Sequence, residues 1–153
     1  MDKKFSHKLI EYRGKKYIVL GWREWVILPE LGVSSIKAKI DTGARTSSLH
    51  AFGIERFSQQ GRDKVRFDIH PIQRNDKTVV KCVSDLIDVR MVTDSGAHRE
   101  LRYVIETPMI IGDFSRSIEI TLTNRSSMIY RMLLGRKALQ QHFIIDPTRS
   151  FHT

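Results

Sequence analysis

The chain has 153 residues, a formal net charge of +9 and a single cysteine, Cys82. That length suits one domain over residues 1–153, able to bury roughly 70% of its unfolded surface without staples; the lone cysteine excludes an internal disulfide. No apolar run approaches the ~20 residues of a membrane-spanning helix, and Met1 to Lys8 is charged with no apolar signal core, so a cytoplasmic protein is expected. The positive excess would hold polyanions near the surface, which makes glutamate-rich peptides, nucleic acid and ribosomes candidate partners. The interleaved aromatic and basic stripe used for single-stranded nucleic acid is absent.

Residues 1–16 are basic and weakly patterned and read as a flexible arm. Tyr17 to Trp22 reads as a strand broken at Gly21, and Trp25 to Leu28 as a second strand stopped by Pro29. Pro29 to Gly32 is a turn, Ser35 to Ile40 alternates with the period of a half-buried strand, and Ser47 to Ala51 continues beyond the next loop. Gln59 to Asp63 is a hairpin turn before the alternation of Val65, Phe67 and Ile69. After a polar loop from Ile72 to Lys77, Thr78 to Val83 and Leu86 to Val92 are rich in β-branched residues. Thr93 to His98 is a second turn, and two alternating runs follow, Leu101 to Ile105 and Ile118 to Leu122. Asn124 to Ser127 turns the chain, Met128 to Leu134 reads as a strand, Arg136 to Gln141 as the one short helix, and Phe143 to Pro147 as a last strand. Many short strands with regular turns predict an all-β barrel or sandwich, without internal repeats.

The chemistry is expected at Asp41-Thr42-Gly43-Ala44. Ile36, Ala38 and Ile40 alternate with Ser35, Lys37 and Lys39, so a strand carries the chain to Asp41, and Gly43 lets the backbone leave at a sharp angle. Two neighbouring carboxyl groups can share one proton, because like charges at that distance cannot both ionise. One then takes a proton from water while the other donates to the scissile carbonyl.

This loop, with Leu133-Leu134-Gly135-Arg136 later in the chain, resembles the active-site loop and underlying strand of the retropepsin-like aspartic proteases. Lys39 to Ala44, Ser47 to Ala51, Arg102 to Ile105 and Leu122 to Arg125 are similar to a bacterial and archaeal branch named ATP-dependent zinc proteases, whose neighbours are ATP-grasp ligases that add amino acids such as glutamate to protein tails. The resemblance implies a closed retropepsin-like barrel with one short C-terminal helix. It also implies Asp41 as catalytic acid, Thr42 bracing paired loops and Gly43 admitting backbone close to the carboxylates. Ala44 and Arg45 beside the loop, Ser95 and Gly96 in a hairpin flap, and Arg102 at its base would meet substrate. Two departures from the compact retropepsin pattern are the longer segment after Asp41 and Arg45, where those enzymes often place an acid.

The chain holds a second such loop, Asp94-Ser95-Gly96-Ala97, which reads as a flap, a plain hairpin tip or the partner acid. If it is not the partner, a homodimer brings two copies of Asp41 together across a two-fold axis. Zinc and ATP, which the branch name implies, find no support in spacing. His7, His50, His70, His98, His142 and His152 include no His-Glu-x-x-His pair, Cys82 has no second thiol, and no phosphate-binding glycine loop occurs, so no metal or cofactor is expected. Ser47 and Ser48 near His50 lack a nucleophile elbow, and Arg136 reads as a structural brace. The expected function is an aspartic peptidase acting on acidic, glutamate-rich chains. The alternative is a catalytically silent module on the same fold that docks on an acidic protein or RNA.

Overall fold

A computed structural model describes residues 8–151. The strands in chain order are β1 (Leu9–Tyr12), β2 (Lys15–Leu20), β3 (Arg23–Leu28), β4 (Val33–Ile40), β5 (Ser47–His50), β6 (Phe52–Gln59) and β7 (Arg62–Ile69). They continue with β8 (Val80–Asp85), β9 (Asp88–Thr93), β10 (Arg99–Ile111), β11 (Phe114–Thr123), β12 (Met132–Leu134) and β13 (Phe143–Ile145); the helix α1 spans Arg136–Leu139. Six strands, in the order β11-β5-β12-β4-β3-β10, close on themselves through the β10–β11 pair. This is the expected all-β closed barrel with one short helix. Among the described residues no helix is long and apolar enough to cross a membrane.

Alternation places the barrel core. Ile36 and Ala38 of β4, Val26 and Leu28 of β3, Leu49 of β5, Ile105 and Met109 of β10, Ile120 of β11, and Met132 and Leu134 of β12 are all buried in one cluster. Each large aliphatic side chain so buried contributes roughly 1.5–3 kcal/mol. The long β10 serves three partners: Val104 to Ile111 pairs with β11 and Ile110 with Ile27 of β3 inside the barrel, and Arg99 to Val104 pairs with β9 beyond it. Two three-stranded sheets flank the barrel, β1-β2-β13 and β6-β7-β8.

Several elements differ from their reading in the sequence. Of the segment taken for an arm, residues 1–7 lie outside the described residues. Leu9 to Leu20 is a hairpin turning at Arg13-Gly14, both with positive φ. β1 buries almost nothing, so it carries no alternation to read. The strand foreseen from Met128 to Leu134 is limited to Met132–Leu134, because the preceding loop folds around Arg131, which is buried and bonded to the Ser126 carbonyl and to Asp76. The helix stops at Leu139, and Gln141 takes a left-handed φ of 76°. Pro29–Leu31 forms one 3-10 turn, ended by Gly32 at φ 71°.

Candidate active site

β4 carries the chain to Asp41, whose N–H donates to the Leu134 carbonyl of the neighbouring β12 at 2.9 Å. The loop then folds on its own acid: the Gly43 N–H donates to Asp41 Oδ1 at 3.0 Å, and the Ala44 N–H reaches the Asp41 carbonyl at 3.3 Å. A Cβ on Gly43 would sit 3.2 Å from that same Oδ1 and press on the carboxylate. One carboxylate oxygen is thereby fixed by a backbone amide, and the side chain remains half-exposed.

The start of α1 holds the loop from the other side. The Arg136 N–H donates to the Ala44 carbonyl at 2.8 Å and the Lys137 N–H to the Arg45 carbonyl at 3.0 Å, while Arg136 Nη1 donates to the Thr42 carbonyl at 2.9 Å. Gly135 is the crossing point. A Cβ there would lie 2.6 Å from the Thr46 carbonyl carbon and 3.0 Å from the Ala44 oxygen, so only glycine lets β12 turn into α1 this close to the loop. Ser47 Oγ accepts the Gly135 N–H at 3.1 Å. The sequence placed Ser47 at the start of a strand, in a family-like block and in a serine and histidine grouping, but its role in closing this crossing depends on the β5–β12 pairing, which no local signal announces.

Asp41, Thr42, Gly43, Ala44 and Arg45 therefore share one loop, and the Arg45 side chain is exposed. Ser95 and Gly96 lie elsewhere, at the tip between β9 and β10. There Asp94 Oδ1 accepts the Gly96 and His98 N–H groups, both at 2.9 Å, and Arg125 stands 3.7 Å from Oδ2. The backbone N–H of His98, then that of Gly96 and the Arg125 charge, hold the Asp94 carboxyl below its usual range. Arg125 follows the Thr123–His50 end of the β5–β11 pair, whereas the Asp41 loop packs at the Ser47 end. Those ends are three residues of strand apart, roughly 10 Å.

Arg102 is placed differently from its reading as a substrate contact. It is 7% exposed, with Nε 2.6 Å from Glu100 and Nη1 3.4 Å from Thr121 Oγ1, and Thr123 Oγ1 donates to the same Glu100 oxygen at 2.6 Å. Glu100 on the same strand supplies the carboxylate that a buried cation needs, and Thr121 and Thr123 tie this pair to β11.

His50 is buried, with Nδ1 accepting the Arg125 N–H at 3.0 Å. Burial, reinforced by the Arg131 charge, lowers its pKa from 6.5. His70 turns Nδ1 toward the Thr78 carbonyl at 3.3 Å. Among the described residues no three His, Cys, Asp or Glu side chains converge as zinc ligands would, so no catalytic step is assigned to a metal.

Comparison with known proteins joins these observations. Residues 19–153 match the family model of the RimB-like proteins, described as the retropepsin-like aspartic endopeptidase RimB. A probable alpha-L-glutamate ligase of Shewanella halifaxensis is 46% identical over 133 residues, covering 87% of this chain and 29% of that protein. One of Desulfotalea psychrophila is 44% identical over 129 residues, covering 84% and 28% respectively. The chain thus spans under a third of the length of the curated relatives it matches. The crystal structure of a Legionella pneumophila protein of unknown function superposes with a TM-score of 0.74 at 27% identity, covering 87% of this chain and 95% of that one. With the Asp41 loop, the glycine crossing beneath it and a family match over nearly the whole chain, the protein belongs to the RimB-like family of retropepsin-like aspartic endopeptidases.

Proposed function

We propose that this chain is a cytoplasmic aspartic peptidase that works as a homodimer, with Asp41 from each subunit forming the catalytic pair, and that it cuts acidic, glutamate-containing chains. The observation that carries this reading is the presentation of Asp41: a half-exposed carboxylate with one oxygen held by the Gly43 N–H, on a loop anchored by Leu134, Gly135 and Arg136. One such carboxylate has no partner acid within its own loop, and a two-fold axis beside it supplies the second. The pair shares a proton; the ionised member takes a proton from the attacking water as the other donates to the carbonyl oxygen of the peptide. Thr42 and Gly43 keep the two loops in register, and Ala44 and Arg45 border the substrate. Ser95 and Gly96 reach it when the hairpin closes over the bound chain.

Support for an acidic substrate comes from the charge of +9, from the exposed Arg45, and from relatives named as glutamate ligases that carry the matching segment in a longer chain. Asp41→Asn tests the reading, since an amide cannot share or transfer the proton. Cleavage of a glutamate-rich peptide should fall by at least about 10²-fold while thermal unfolding stays unchanged. Cleavage at the wild-type rate by the purified variant would remove Asp41 from the mechanism, and absence of cleavage by the wild type would leave a binding module.

A further inference from the structure

A groove of about 770 Å³ opens on the outer face of the β3–β4 pair, away from the barrel core. Its floor is Trp25 and Lys37, directly opposite one another in the strand register. The Lys37 ammonium lies 5.2 Å from the centre of the Trp25 ring and 5.8 Å from that of Phe151, and the two rings stack at 5.6 Å. Phe151 is held there by its N–H on the Arg23 carbonyl at 2.9 Å. At one end the Arg23 guanidinium sits between Trp22 and Phe151, at 4.5 and 4.7 Å, and donates to the Tyr130 hydroxyl, leaving its Nε buried without a partner. The opposite wall is the loop after β7, where Gln73 accepts from Lys37 Nζ at 3.3 Å and Arg74 is exposed.

Two features separate this groove from ordinary surface packing. Trp25 is 40% exposed and Ile72 48% exposed, so apolar area is left open beside charge. Three of the lining residues, Arg23, Lys37 and Arg74, are cations and none is an acid. A cation held against ring faces is partly desolvated, which strengthens its attraction for an incoming carboxylate. Position adds a third point: β4 runs from Lys37 straight to Asp41, four residues of extended chain or roughly 13 Å.

We propose that this groove is a second binding site, which grips an extended acidic peptide segment about four residues away from the bond that is cut. It rests on the reading of the chain as a peptidase for acidic substrates. Carboxylates of the segment meet Lys37 and Arg74, and their methylene stems lie over Trp25 and Ile72. Selectivity for acidic chains then resides mainly in this groove rather than at Asp41, so short substrates escape it and long ones do not.

The test separates gripping from cutting. Asp41→Asn protein is titrated with a glutamate peptide of about eight residues, its glutamine counterpart and an oligouridylate of similar charge, with binding followed by calorimetry and by tryptophan fluorescence. The glutamate peptide should bind and alter the fluorescence, and a Lys37→Gln/Arg74→Gln double variant should bind it about tenfold more weakly. Lys15→Gln/Lys16→Gln, which removes the same charge from the exposed end of β2, should change binding less than about twofold. In otherwise wild-type protein the groove variant should raise KM for the long peptide and leave kcat unchanged. No binding of the glutamate peptide, equal weakening by both double variants, or preference for the oligouridylate would overturn the inference. Asp41-dependent cleavage indifferent to Lys37 and Arg74 would defeat the groove alone. Groove-dependent binding without any cleavage would defeat the peptidase reading alone.

Discussion

At Gly135 the backbone of β12 and the backbone after Asp41 meet with no room for a methyl group. A Cβ 2.6 Å from a carbonyl carbon cannot be relieved by rotating a side chain, so Gly135→Ala should displace the loop and cost on the order of 1–3 kcal/mol, read as a lower midpoint in urea. Unchanged stability would mean that the crossing is looser than its distances. The sequence already marked Leu134-Gly135-Arg136 as lying beneath Asp41, through resemblance. Whether a glycine is needed for a turn or for a close approach is decided by the segment that crosses it, and here that segment, Ala44 to Thr46, is far away in the chain. Gly21 makes the same point: its missing Cβ leaves space for the Arg149 carbonyl, 2.4 Å from where that atom would be.

The strands easiest to read were those with one buried face, such as β4 and β7, where alternation follows directly from burial. β1, with nothing fully buried, carries no such period, and β12, three residues long and apolar throughout, is too short and uniform to show one. The groove was invisible for a related reason. Trp25, Lys37, Arg74 and Phe151 come from separate segments, and each alone is an ordinary surface residue. β8 yields a prediction of its own. It packs Cys82 against the 3-10 turn, with the thiol donating to the Leu31 carbonyl at 3.3 Å, and burial pushes its pKa up to about 12. A thiol so protonated is a poor nucleophile, so native protein at pH 8 should resist alkylation, and labelling should appear only as β8 detaches under denaturant. Rapid labelling of the native protein would contradict this packing.

For the molecule as a whole, buried titrating groups set a pH window. His50 has a folded-state pKa below the ordinary 6.5, so the unfolded chain binds more protons as pH falls through that value. Stability is then fully present above about 6.5 and is lost toward the lower folded pKa. Cys82 acts at the other end: its folded pKa is raised from 9.0, so stability holds below 9 and declines as pH rises toward 12. The groups around His50 include Arg131, His70 and Asp76, and burial outweighs the Asp76 charge. Urea midpoints of wild type and His50→Asn between pH 5 and 8 check the acid limb. The variant should lose most of the slope below 6.5, and an unaltered slope would assign it to other groups.

The parallel pairing of β13 with β2 brings Phe143 beside Ile18, and the Asp41 loop waits on Leu134, Gly135 and Arg136. Synthesis runs from the N-terminus, so a growing chain displays Asp41 long before anything exists to anchor it. Phe151, which stacks on Trp25 of the groove floor, comes later still. Under the peptidase reading proposed above, the order of emergence is a safeguard: a chain not yet made as far as residues 134–136 has no anchor for the Asp41 loop and would cut nothing.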